Sequence, residues 1–270
     1  MRRLTIALAL GAVATGMAAT RVAAQEKSGP DFAWDGVMTP GHTLVIRNMN
    51  GAIRVTKADG DRASVTGVKR WRRGNPADVR IEQSKGSTIG DIVICAFWVD
   101  NASCDERSYH SHNDGGGWPF RDRNDVSVEF TIRLPAGVRV VVATVNGEVS
   151  VEDATAEVEA SSVNGSVWAN SSGGPVRANT VNGDIRARMG LRGTADLNFS
   201  TVNGTVIVQV PDGADAELSM STVNGSVQSD FPVTIQGRLN PRKLRATLGK
   251  GGPQLSMKTV NGDVRLRKVQ

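Results

Sequence analysis

The chain has 270 residues, of which 39% are hydrophobic, 22% charged and only 4% aromatic, enough for one large domain or two small ones. Arg2, Arg3 and Arg21 fall in a leader that holds no acid, so the formal net charge of +5 drops to +2 without them, too close to balance to point to nucleic acid. The 30 glycines, with Val, Thr, Ser and Asn abundant in the second half, argue against a helical protein and for strands joined by tight turns.

Residues 1–24 read as a signal peptide. Arg2 and Arg3 form a positive start, an apolar stretch runs from Leu4 to Ala19, and Val22-Ala23-Ala24 fits a small-residue cleavage site before Gln25. The apolar stretch is short of the ~20 residues that span a bilayer. No later run is long enough, so no transmembrane segment is expected after cleavage. Residues 25–40 read as a flexible start, and 41–270 as a β-strand-repeat domain with an excursion over 95–125.

At Thr43 the strand signal begins: Leu44, Ile46, Met49, Ile53 and Val55 are apolar around Asn50-Gly51. Asp59-Gly60-Asp61 reads as a turn. Residues 63–68 read as a strand ending in Lys69-Arg70-Trp71-Arg72-Arg73, and Val79 and Ile81 alternate with Arg80 and Glu82. Residues 89–94 resemble the downstream half of the repeat described below. The excursion follows, with Trp98, Tyr109, His110, His112 and Trp118 in it. Cys95 and Cys104, the chain's two cysteines, are expected to pair in an exported protein, closing a small loop worth about 2–3 kcal/mol. The whole segment reads as a disulfide-closed surface loop, of the kind that carries function in compact domains. Residues 126–134 alternate strictly, a half-buried strand that stops at Pro135.

From Val138 a repeat takes over. Thr-Val-Asn-Gly or Ser-Val-Asn-Gly recurs at Asn146-Gly147, Asn164-Gly165, Asn182-Gly183, Asn203-Gly204, Asn224-Gly225 and Asn261-Gly262, with a looser copy at Asn50-Gly51. The spacings are 18, 18, 21, 21 and 37 residues, the last reading as two turns with a degenerate one around Leu244, Ala246 and Leu248. Apolar residues fill fixed columns two, five and seven residues before each Gly and two after it. For Gly183 these are Val181, Ala178, Val176 and Ile185.

Hairpins in an ordinary sandwich do not need such columns. A solenoid does, because equivalent residues stack on the turn above. The expected fold is all-β: a right-handed, β-helix-like stack of 18–21-residue turns, with valines filling the core. Asn-Gly turns the chain through positive φ, and the asparagines form an amide ladder. On this reading Val181→Asp strongly destabilises, whereas Asn182→Ala costs about 1–2 kcal/mol.

The looser copy Asn-Met-Asn-Gly-Ala-Ile at 48–53, the strand end Leu134-Pro135-Ala136-Gly137-Val138, the serial Thr-Val-Asn-Gly motifs, and the break Leu248-Gly249-Lys250-Gly251-Gly252 before the last copy together resemble the bacterial putative-adhesin family of β-strand-repeat proteins (domain of unknown function 4097). The resemblance covers residue 40 to the end. It implies an envelope-located β-solenoid with no established catalytic residues, "adhesin" being a label by analogy.

Candidate chemistry is sparse. His110-Ser111-His112-Asn113-Asp114 offers two imidazoles and a carboxylate, but no further metal ligands are placed by sequence. Arg70, Trp71, Arg72 and Arg73 could bind phosphates, anionic glycans or an anionic membrane surface, or form a charged edge strand. Trp98, His110, His112 and Trp118 complete the candidate ligand surface. The residues after each turn Gly do not pair carboxylates as glycosidases need. No Gly-x-Ser-x-Gly elbow or phosphate loop occurs. The sequence therefore reads as a non-enzymatic, exported envelope scaffold or adhesin-like surface that needs no cofactor and binds a protein or glycan of the envelope. The alternative is a glycan-binding or glycan-cleaving β-helix acting on envelope polysaccharide.

Overall fold

The computed structural model describes residues 31–99, 101–111, 124–190, 194–235 and 240–269. The leader read over 1–24 lies outside them. The strands of the first half are β1 (Phe32–Val37), β2 (Thr43–Arg47), β3 (Ile53–Lys57), β4 (Arg62–Arg70), β5 (Arg80–Lys85), β6 (Ile92–Phe97), β7 (Ala102–Cys104), β8 (Tyr109–Ser111) and β9 (Ser127–Leu134). The repeat supplies β10 (Arg139–Ala143), β11 (Val149–Ala154), β12 (Val158–Ser161), β13 (Val167–Ser171), β14 (Val176–Asn179), β15 (Ile185–Met189), β16 (Leu197–Ser200), β17 (Val206–Val210), β18 (Ala216–Ser221) and β19 (Val227–Ser229). β20 (Thr234–Ile235), β21 (Lys243–Leu248), β22 (Gln254–Lys258) and β23 (Val264–Lys268) complete the chain.

These strands form two large mixed sheets. One has ten strands in the order β1-β4-β9-β3-β11-β13-β15-β17-β23-β19; the other has eleven in the order β20-β21-β18-β22-β16-β14-β12-β10-β2-β6-β5. Each repeat lays one strand in the eleven-strand sheet, turns at its Asn-Gly corner, and lays the next in the ten-strand sheet. Equivalent strands of successive repeats pair in parallel without offset, as in Val140↔Val158↔Val176 and Val149↔Val167↔Ile185↔Val206. Alternation then sends Val, Ile, Leu, Ala, Phe and Met from both sheets into one core.

The corner is held by two ladders. Asparagine amides bond rung to rung: the side-chain NH2 of Asn164 donates to Asn146, Asn182 to Asn164, Asn203 to Asn182, Asn261 to Asn203 and Asn224 to Asn261, at 2.7–2.8 Å. The buried hydroxyls of Thr144, Ser162, Thr180, Thr201, Thr259 and Thr222 each donate to the carbonyl of the corner glycine in the adjacent rung, at 2.8–3.1 Å. The glycine is needed for this closeness and, at Gly51, Gly183, Gly204, Gly225 and Gly262, for its positive φ as well. A Cβ on Gly183 would stand 2.3 Å from the Gly165 carbonyl oxygen. Among described non-glycine residues only Asp153 has positive φ, so the corner asparagines do not turn the chain in that way.

Several expectations are corrected. The valine two before each glycine is not core: Val163, Val181, Val202, Val223 and Val260 are exposed, and the Ser/Thr before it is buried instead. Among the described residues the 37-residue gap holds no degenerate turn. β21 pairs antiparallel with β18 and β20, and the last repeat, β22–β23, is inserted between β16/β17 and β18/β19. Rung order at the corner is therefore Asn50, Asn146, Asn164, Asn182, Asn203, Asn261, Asn224.

At the other end, residues 92–94 take the upstream place of a turn, not the downstream one. Leu44↔Ile92 and Ile46↔Ile94 pair in β2–β6, and Ile53↔Phe130 pairs in β3–β9. The excursion thus replaces one Asn-Gly corner, and Asn50 Nδ2 donates to the Val126 carbonyl there at 3.0 Å. Phe32–Val37, read as a flexible start, is β1, antiparallel to β4. β4, which carries Lys69 and Arg70, lies between β1 and β9 and is not an edge strand.

Candidate ligand-binding face

Over its described residues 95–99 and 101–111 the excursion is more than a surface loop. Cys95 and Cys104 are joined in a disulfide. β7 and β8 pair antiparallel, and Val45, Val93, Cys95 and Phe97 form a second small core on the outer face of the eleven-strand sheet, with Cys104, Tyr109 and Val141 packed against it. The Tyr109 hydroxyl donates to the Ala96 carbonyl at 3.0 Å, and burial pushes its pKa up. Arg47 donates to the Asp105 and Glu106 carbonyls, and burial lowers its pKa. These contacts clamp the hairpin to β2.

Of the residues singled out by sequence, His110 lies on β8, where its Nε2 meets Asp105 Oδ2 at 3.0 Å and Ser108 Oγ at 3.2 Å. That hydrogen bond, aided by the Ser108 and Arg107 backbone N–H groups, holds the Asp105 carboxyl well below its usual range. Both partners meet the same ring nitrogen, so the group is no Ser–His–Asp relay, which uses both nitrogens. His112 and Trp118 lie outside the described residues. Trp98 is half-buried against the main core and donates from Nε1 to the Val126 carbonyl at 3.0 Å. Arg70 faces Glu129 at 3.6 Å, and Trp71 is exposed. The backbone N–H groups of Arg72, Arg73 and Gly74 all donate to the Asp125 carboxylate, which depresses its pKa, Gly74 contributing most. That bonding ties residues 70–74 to the end of the excursion. Among the described residues no group of three or more His, Cys, Asp or Glu is placed to hold a metal.

The structure assembles a different constellation on the outer face of the ten-strand sheet. Register aligns Ser150, Trp168, Arg186 and Ile207 in one outward column, and Asn170, Arg188 and Gln209 in the next. Trp168 is 45% exposed. The Arg186 guanidinium carbon sits 5.0 Å from its ring centroid, a cation–π contact. Glu152, Asp153, Trp168, Asn170, Arg186 and Arg188 line an open groove of about 500 Å³. A second hollow of about 340 Å³ continues it past Asp153, Asn170 and Arg188.

The groove's acidic end is made by a bulge. Register shifts between Val151 and Ala154, and Asp153 is held at φ 54°. Bulges of this kind re-aim side chains, and a non-glycine residue at positive φ is held there against a steric cost. Further along the face Arg265 and Arg267 are engaged by Asp263 at 2.8 Å and Asp230 at 2.6 Å. Among the described residues no carboxylate lies within ion-pair distance of Arg186 or Arg188. Sequence reasoning missed this site because it followed the apolar columns. The outward column three after each glycine, where Trp168 and Arg186 stand 18 apart, carried the signal.

Two sheets coiled from short repeats, with stacked Asn-Gly corners and an exposed, charged outer face, define a class of all-β repeat proteins built around a surface rather than an enclosed cavity. The chain belongs to the Toastrack family, domain of unknown function 4097, which it matches over residues 42–267. It is similar to a "putative cell adhesion protein" from Clostridium sporogenes ATCC 15579, at 9% identity and TM-score 0.39, over 88% of this chain and 99% of that one. It is also similar to a "putative adhesin" from Bacteroides fragilis NCTC 9343, at 11% identity and TM-score 0.35, over 88% of this chain and 96% of that one. No curated protein matches the chain.

Proposed function

We propose that this protein is an exported, non-enzymatic component of the cell envelope that presents its β-coil as an adhesin-like or scaffold surface to an envelope partner. The leader read at 1–24 supports export, and no helix among the described residues is long and apolar enough to cross a membrane. The coil winds right-handed, as connections between parallel strands do. The observation that carries the binding role is Trp168 standing exposed beside Arg186 and Arg188 on a sheet whose every rung is hydrogen-bonded to the next. A hydrogen-bonded sheet positions such side chains without the ordering cost a loop would bring.

Retention by intact envelopes tests this. The parent chain is expected to be retained, and the double variant Trp168→Ala, Arg188→Glu to be released. Release by the disulfide variant Cys95→Ser, Cys104→Ser instead would move the binding site to the hairpin. Saturable turnover of envelope polysaccharide by the purified chain would overturn the non-enzymatic reading.

A further inference from the structure

We infer that the groove at Trp168 binds a linear, carboxylated saccharide, a chain of uronate-type pyranoses. The inference rests on the binding-face reading above and names its ligand class. An exposed indole offers an apolar face with a negative quadrupole, which suits the C–H face of a pyranose ring. Arg186 is held against that ring, and Arg188 stands two residues along the same strand, on the same face. Guanidinium forks bind carboxylates through paired N–H donors.

The acidic end decides between ligand classes. DNA or an anionic bilayer would meet Glu152 and Asp153 in the same groove with phosphates and few hydroxyl donors to offset the repulsion. A saccharide meets them with hydroxyl donors, which carboxylates accept, and finds both donors and acceptors at the amides of Asn170 and Gln209. The two hollows join across Asp153, Asn170 and Arg188, which favours a chain over a single sugar. Neighbouring rungs are about 4.8 Å apart, close to the length of one pyranose, so successive residues of a linear chain meet successive strands.

The test is calorimetric titration of the purified full chain with linear tetragalacturonate, its fully methyl-esterified form, and tetraglutamate as an acidic non-sugar. Tetragalacturonate is expected to bind in a salt-sensitive manner, with the methyl ester and tetraglutamate at least about tenfold weaker. Trp168→Ala and Arg188→Gln are each expected to lose at least about tenfold in affinity while unfolding at the parent's temperature, since both side chains project from the outer face. Equal binding of acid and ester, equal binding of tetraglutamate, or unchanged affinity in Trp168→Ala would overturn the inference. If no saccharide binds but the Trp168→Ala, Arg188→Glu chain is still released from envelopes, the ligand class falls and the binding face stands. If that chain is retained like the parent, the face itself falls.

Discussion

Thr180 and Val181 are neighbours in the chain with opposite surroundings. Thr180 is 5% exposed and Val181 39%. Burying a hydroxyl is costly unless it is bonded, and Thr180 Oγ1 donates to the Gly165 carbonyl at 2.8 Å. With that bond made, the corner turns its threonine inward and its valine out. Val181→Asp is therefore expected to change stability by no more than about 0.5 kcal/mol. Ile185→Asp, at 0% exposure, is expected to cost about 3–5 kcal/mol by burying an unpaired charge. Urea denaturation of the two variants beside the parent checks both. Asp263 gives a second prediction at this scale. The Ser226 backbone N–H, then Arg265 and the Ser226 hydroxyl, hold its carboxyl below the usual range. A depressed carboxylate contributes stability above its unfolded pKa and loses it as pH falls through the folded one. Asp263→Asn is thus expected to be less stable than the parent at neutral pH, with the gap closing as pH drops below the ordinary carboxylate range. Denaturation midpoints across pH measure it.

The hairpin β7–β8 shows what an element gains from its tether. Three-residue strands cannot hold together alone in water. Here Cys104 is bonded to Cys95 in β6, and the Phe97 and Tyr109 rings meet edge-on with centroids 5.9 Å apart. Cys95→Ser with Cys104→Ser is expected to cost about 2–3 kcal/mol. The loss should be local. Hydrogen exchange should speed at Ala102–Ser111 and stay slow in Ile185–Met189, because the stacked rungs do not depend on the hairpin. Equal acceleration in both places would contradict that independence. The spacing of Cys95 and Cys104 made the pairing readable. That the hairpin folds back on the sheet was not, because its small core joins Val93, Cys95 and Phe97 of β6 to single residues of β2 and β10, Val45 and Val141, that no local pattern links to them.

At the scale of the molecule, the last repeat is not the last rung. β22 and β23 lie between β16/β17 and β18/β19, so Val264 pairs with Val206 on one side and Val227 on the other. Removing residues 254–270 therefore leaves a gap rather than a shorter coil. Limited proteolysis of the truncated chain is expected to cut within 211–248 while leaving 139–189 intact. In a coil stacked in sequence order β18 would stay protected, and finding it so would refute the inserted rung.

The sequence by itself determined the rung. Its period, its inward apolar columns and its Asn-Gly corners follow from local alternation and from the need of equal side chains to stack. It could not determine the order of rungs or the direction of the corner valines. Near-identical rungs are interchangeable partners, so which one pairs with which depends on the long connections and on the antiparallel cap of β21 over β18. The corner's inside and outside depend on a hydrogen bond between residues 15 apart in sequence, from Thr180 to Gly165. The groove likewise exists only once register sets Trp168 beside Arg186. Hydrophobic pattern specifies what one strand buries, and only tertiary pairing decides which polar side chains meet on the face left outside.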